Sequence, residues 1–368
     1  MTEGGAPTRP SALYARGVAN GHWQADAAQQ GALAELDRIH DGLLAPAAVG
    51  TLGRWLARLH RPAPVRGLYL WGSVGRGKTF LTELLFEHIP LPQRRRLHFH
   101  RFMAEVNARL RALPEVRDPL QILARDLAAQ ARLLVLDECI VTDIGDAMLL
   151  GRLLAGLLAR GVCLVVTSNI APADLYKDGL QRSQFLPAIA AIERGCVVVH
   201  LDGACDYRLQ HLRQAARWRV PADDEAEQAL QASFETLATG LPRLPEILAI
   251  NDRAITARAH ADGIVWFDFA ALCEGPRAVS DYIEIGKDFH TVLISAVPVF
   301  TAADEDAAKR FIGLIDELYD RHVNLLASAA AAPTALYRGE RHAAEFARTC
   351  SRLLDMQSDD YLALEHRP

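Results

Sequence analysis

The chain has no Cys-x-x-Cys pair; its six cysteines (Cys139, Cys163, Cys196, Cys205, Cys273 and Cys350) are scattered singly through 368 residues. That spacing argues against a zinc site and against a disulfide framework, and it fits a reducing compartment. There is no surplus of positive charge either. Lys and Arg total 40 against 45 Asp and Glu, a formal net charge of −5, so no bulk attraction draws the chain to nucleic acid or an anionic membrane. The opening residues, MTEGGAPTRPSALYARG, hold no apolar run of signal-peptide length, and Glu3 is out of place in a transit peptide. The expectation is a cytoplasmic protein. One stretch, AMLLGRLLAGLLARGVCLVV at 147–166, is apolar enough to suggest a membrane span. Arg152 and Arg160 fall inside it, and each would cost about 2.5–3.5 kcal/mol at a bilayer centre. A helix, a turn at Gly161 and a buried strand explain it better, so no transmembrane segment is expected. No internal repeat is present.

What the chain does have is a globular composition, 50% apolar and 23% charged, long enough for two or three domains. Residues 1–60 read as a flexible N-terminus followed by two helices, the second carrying Leu52, Trp55, Leu56 and Leu59. From 61 to 220, strand and helix alternate: GLYLW, RLHFHRF, ARLLVLDE, GVCLVVTSN and GCVVVHLD are short apolar strands with amphipathic stretches between them. Continuous apolar strands alternating with helices indicate an α/β fold with a five-stranded parallel sheet covered on both faces. PADDEAEQAL, from Pro221, marks a boundary. Beyond it, 221–368 reads as a mixed α/β region with a hairpin near 247–268, strands TVLISAVPVF and VNLLASA, and the helix EDAAKRFIGLIDELYDR between them. SAAAAPTAL reads as a hinge before a last helix, AAEFARTCSRLLDMQS.

One motif gives this architecture a chemistry. Gly72-Ser73-Val74-Gly75-Arg76-Gly77-Lys78-Thr79 fits G-x-x-x-x-G-K-[ST] between a predicted strand and a predicted helix, which is the context the motif needs. Its glycines let backbone N–H groups converge on phosphates, and the helix N-terminus adds a favourable dipole. Lys78 is placed to reach the β- and γ-phosphates of ATP, and Thr79 to ligate Mg²⁺. Asp137, ending the strand LLVLD, is the second metal-side group, and Glu138 is placed to activate the attacking water. Asn169, at the end of LVVTSN, sits where open α/β sheets present ligand groups and could orient that water. Arg182, read on a helix before the fifth strand, suits an arginine finger offered to a neighbouring subunit, with Arg194 and Arg208 as rivals. His98 and His100 share a strand face on this reading but lack a third metal ligand, so they read as a packed pair. RQAARWR reads as a solvated helix face.

The block from LDECIVTD to LQRSQFLPAI, with HFHRFM, FDFAALCEGPRAVSDYIEI, KRFIGLIDELYDRHVNLLASA and EFARTCSRLLDMQS, resembles the AFG-like AAA+ ATPases from about Ala12 to Leu362. The resemblance implies an AAA+ P-loop ATP hydrolase using ATP and Mg²⁺, with 72–79 as Walker A, Asp137 and Glu138 as Walker B, Asn169 as sensor 1 and Arg182 as arginine finger. It implies a nucleotide-dependent homo-oligomer. The bacterial branch further implies a cell-division factor acting on FtsZ polymers, and the mitochondrial branch implies quality control of membrane proteins. Two positions depart from the pattern: Cys139 where an aromatic is usual, and Lys309-Arg310 where two arginines are, which leaves sensor 2 unassigned. A small-molecule kinase has no use for Glu138 beside Asp137. A nucleic-acid loader would concentrate positive charge and bind with steep salt dependence, so the net acidity disfavours it.

Overall fold

The computed structural model describes residues 8–45, 64–113, 118–202, 212–238 and 246–367, apart from positions 22, 24, 74, 252 and 262. The second predicted N-terminal helix, Val74, Cys205 and Arg208 lie outside them. The chain divides into two compact units, Met1–Cys205 and Asp206–Pro368.

The first unit is a doubly wound α/β layer structure. Its helices and strands run α1 (Pro10–Ala19), α2 (Gln30–Leu44), β1 (Gly67–Trp71), α3 (Lys78–His88), β2 (Arg94–His98), α4 (Phe99–Ala112), α5 (Pro119–Gln130), β3 (Leu133–Asp137), α6 (Ile144–Leu158), β4 (Cys163–Ser168), α7 (Leu186–Gly195) and β5 (Cys196–His200). The five strands are parallel in the order β2-β3-β4-β1-β5, as the alternating pattern predicts. Successive strand residues face opposite sides, and the apolar sequence supplies both. Leu68, Leu70 and Val165 pack with Leu36 and Leu81 on one face. Tyr69, Leu164 and Val166 pack with Phe102, Leu150 and Ile192 on the other. Each such side chain contributes about 1.5–3 kcal/mol by leaving water. Tyr14 of α1 and Leu33, Leu36 and Ile39 of α2 belong to the same core.

The local departures have physical reasons. The second strand starts two residues before the predicted RLHFHRF and ends at His98, so His100 lies in α4 and the two histidines do not share a strand face. β2 is an edge strand and tolerates Arg94, Arg95 and Arg96 because each has a partner: the Ile89 carbonyl, Glu105, and Asp137 respectively. α5 was missed by the sequence reading, although Leu120, Leu123, Ala124 and Leu127 recur at helical spacing on its buried face.

The second unit is also α/β, with its own sheet. It comprises β6 (Trp218–Arg219), α8 (Asp224–Leu237), β7 (Glu246–Ile250), β8 (Arg253–Ala257), β9 (Ala259–Ala261), β10 (Ile264–Asp268), α9 (Phe269–Cys273), α10 (Val279–Asp288), β11 (Thr291–Val297), α11 (Glu305–Asp320), β12 (Asn324–Ala329), α12 (Ala343–Asp355) and α13 (Asp359–Leu362). The sheet order is β6-β12-β11-β10-β9, parallel except for β9, and β7-β8 form a separate hairpin. Trp218 and Arg219, which precede the division expected at 221, pair with β12; within RQAARWR, Arg213 and Gln214 are helical and exposed as read, while Trp218 and Arg219 are strand. The predicted hinge is packed chain: Ala329 and Leu336 are buried, and the Phe300 N–H donates to the Leu336 carbonyl at 2.7 Å.

Candidate functional site

The glycine loop after β1 is built for close backbone approach. Gly72, Gly75 and Gly77 have φ of 149°, 77° and 76°, values that L side chains rarely adopt. A Cβ on Gly72 would lie 2.4 Å from the Leu201 carbonyl oxygen, so the position admits only glycine. Gly77 caps α3 without any side-chain cap, leaving the N–H groups of its first turn to another acceptor. Gln29 braces the loop from outside, its amide donating to the Arg76 carbonyl at 3.1 Å.

Strand order brings the remaining candidates together. β4 lies beside β1, and the Gly72 N–H donates to the Ser168 carbonyl at 3.2 Å. Lys78 is 8% exposed, and its ammonium donates to the carbonyls of Gly72 (2.7 Å) and Ser73 (2.8 Å) and to Asn169 Oδ1 (2.9 Å). Lys78 and Asn169, 91 residues apart, are therefore in direct contact. The turn holding Asn169 is pinned from below: the buried Tyr69 hydroxyl donates to the Ile170 carbonyl at 2.8 Å. Burial pushes the Tyr69 phenol up, well above its ordinary range.

β3 comes next in the sheet. Asp137 is 2% exposed; Arg96 Nε donates to one carboxylate oxygen at 2.6 Å, and the Thr167 hydroxyl lies 3.3 Å from the other. Glu138 has φ of 51°, a strained value for a non-glycine residue and one found disproportionately at functional sites. The Glu138 N–H donates to Thr167 Oγ1 at 3.1 Å, and His98 Nδ1 stands 4.0 Å from its carboxylate. Cys139 is buried and its thiol pushed up to about 12 by desolvation, so it is a small core residue and not a nucleophile.

The expected finger is elsewhere. Arg182 opens a 3-10 turn (Arg182–Gln184), not the helix read from sequence, and donates to the Ala173 carbonyl. Among the described residues it makes no hydrogen bond or ion pair with Lys78, Asp137, Glu138 or Asn169. Arg194 lies exposed in the last turn of α7. In the second unit, Lys309 pairs with Glu345 at 2.8 Å and Arg310 donates to the Cys273 carbonyl at 2.9 Å.

The site suits a nucleoside triphosphate. Among the described residues Arg76 Nη1 is buried without a hydrogen-bond partner, the helix N-terminus has no side-chain cap, and the Lys78 ammonium sits at the loop, donating to the Gly72 and Ser73 carbonyls. Thr79 and Asp137 are oxygen donors suited to Mg²⁺, which needs only one or two protein groups beside phosphates. Sequence reasoning missed Arg96, Thr167 and Gln29. The arginine run in β2 was the available signal for the first.

A family model, AFG1-like ATPase, matches residues 8–365. The chain belongs to this family. It is 42% identical to the Escherichia coli K12 cell division protein ZapE over 97% of this chain and 98% of that protein. It is 33% identical to zebrafish (Danio rerio) lactation elevated protein 1 homolog B, over 82% of this chain and 69% of that one. Among solved structures it is similar to DnaI, with a TM-score of 0.35 and 16% identity over 50% of this chain and 88% of that one. As a member of the AFG1-like ATPases the chain is a nucleotide-binding ATP hydrolase, and its first unit carries the parallel α/β sheet described above. Among the described residues no helix is long and apolar enough to cross a membrane.

Proposed function

We propose that the chain couples Mg²⁺-dependent ATP hydrolysis to the remodelling of a protein assembly in cell division, with FtsZ polymers as its target. The end-to-end 42% identity to a cell-division protein carries this reading. Lys78 would leave the Gly72 and Ser73 carbonyls for the β- and γ-phosphates, an exchange favoured because anionic oxygens replace neutral ones. Its bond to Asn169 would then report phosphate occupancy to the end of β4. Glu138 would orient and deprotonate the attacking water, with Asn169 holding that water in line. Thr79 and Asp137 would hold Mg²⁺, which would supply charge neutralisation across the phosphates.

Arg182 would act across a subunit interface in a homo-oligomer. Its Ala variant should bind ATP normally and hydrolyse it at least about 100-fold more slowly, as for other trans arginines. Mixing it with Glu138→Gln protein should restore activity, because one class of mixed interface pairs an intact glutamate with an intact arginine. No recovery in demonstrated mixed oligomers would remove Arg182 from this role.

The target is tested by sedimentation of FtsZ polymers in a cytoplasm-like buffer. Wild-type protein with ATP should shorten or destabilise them, and Lys78→Ala should leave them unchanged. Indifferent polymers, together with co-purifying membrane-protein fragments, would favour quality control instead.

A further inference from the structure

Arg96 lies between two carboxylates of the candidate site. Its Nε donates to Asp137 Oδ2 at 2.6 Å, and its Nη1 stands 3.8 Å from Glu83 Oε1. Both carboxylates are screened from water, with side-chain exposures of 3% for Asp137 and 14% for Glu83. Glu83 follows Thr79 by four residues on α3 and so shares its helix face. The guanidinium is thus within reach of an anion on β3 and another on the helix that carries Thr79.

We infer that Arg96 is a gate on the metal: it takes the Asp137 carboxylate that a divalent cation would use, and it yields towards Glu83 when cation and nucleotide enter together. A guanidinium and a dication beside one carboxylate compete for it in a site this dry, since their mutual repulsion is poorly screened. The nucleotide's phosphates supply the extra negative charge that lets the cation win. Glu83 supplies the counter-charge that keeps the displaced guanidinium paired. Metal entry is thereby made conditional on nucleotide. Arg96 acts through Asp137 and is a positioning residue. The inference rests on the reading of Asp137 as a metal-side carboxylate.

The test titrates Mn²⁺ into the full-length, nucleotide-free protein and reads free Mn²⁺ by electron paramagnetic resonance. Arg96→Gln should bind Mn²⁺ at least about tenfold more tightly than wild type, the usual size of an outer-shell effect on a metal site. The Arg96→Gln/Asp137→Asn double variant should lose that gain. Circular dichroism shows whether Arg96→Gln is folded. If it is not, Glu83→Gln decides, because it keeps Arg96 and strips its alternative anchor. There the Mn²⁺-induced gain in affinity for a fluorescent ATP analogue should fall about tenfold, while affinity in EDTA stays at the wild-type value. A folded Arg96→Gln protein with wild-type Mn²⁺ binding overturns the gate, as does a Glu83→Gln protein with an undiminished Mn²⁺ gain. Asp137→Asn separates the two levels. If it leaves the Mn²⁺ gain intact, the reading of Asp137 fails and the gate with it; if it removes the gain while the other two variants are silent, the gate alone fails.

Discussion

The described residues form two five-stranded sheets, and at the carboxyl ends of their strands they do opposite things with polar side chains. In the first unit, β1 runs into a loop with three glycines of positive φ, a lysine resting on loop carbonyls, and an arginine nitrogen with no partner. In the second, the loops after β11 and β12, residues 298–304 and 330–336, contain no glycine. The polar groups there are tied to one another. Buried Ser295 and Ser328 donate to Glu227 at 2.8 and 2.7 Å, Arg258 pairs with Glu227 and with Asp268, and Trp266 Nε1 donates to Ser295 at 2.8 Å. A parallel sheet offers a crevice at its strand ends, but only a backbone that can approach phosphate makes it a nucleotide site. The second unit fills the same place with an internal network.

The sharpest way to break this contrast is to remove one key residue from each unit. Lys78→Ala should reduce ATP turnover at least about 100-fold, the scale for losing a preorganised charge at a phosphoryl centre. It should leave the unfolding midpoint nearly unchanged, and phosphate release with a parallel thermal melt reads both. Glu227→Ala should do the reverse. Two buried hydroxyls and Arg258 lose their acceptor, at a cost of about 2–4 kcal/mol in denaturant unfolding, while turnover per folded molecule stays at the wild-type level.

Acid should distinguish the units next. Burial alone would raise the Glu227 carboxyl, but the Ser328 and Ser295 hydroxyls and the Arg258 guanidinium together hold it below its ordinary 4.5. A depressed carboxylate stabilises the fold above its unfolded pKa, and that stability is lost as pH falls through the folded value. Wild type should therefore lose stability below about pH 4.5, and Glu227→Gln should lose less over the same interval, in urea melts from pH 7 to 3. The smallest effect should come from Tyr69→Phe. Freeing the Ile170 carbonyl should cost about 1 kcal/mol and lower turnover only a few-fold, since Asn169 keeps its bond to Lys78.

The two units also differed in how well their sequences announced them. In the first, strands such as GLYLW are uniformly apolar because both faces are covered, and the limits of all five but β2 could be read to within two residues. The glycine loop, Asp137, Glu138 and Asn169 were legible because each sits at a strand end. Arg96 was not: its role comes from β2 pairing with β3, and sheet order is absent from local pattern. The signal that separates Arg182 from the helix is Pro187, in the first turn of α7. In the second unit, β6 is two residues long and held only by a distant strand, so no periodicity could reveal it. The alanines of 329–335 suggested looseness, yet the segment is tied down by its backbone, the Ala330 N–H donating to the Val297 carbonyl and the Phe300 N–H to that of Leu336.

The most direct test of the contrast is the stoichiometry of ATP binding, by equilibrium dialysis with a labelled analogue on the full chain. The account predicts one nucleotide per chain, lost in Lys78→Ala and retained in Glu227→Gln. Two nucleotides per chain, or binding that survives Lys78→Ala and falls with Glu227→Gln, would contradict it.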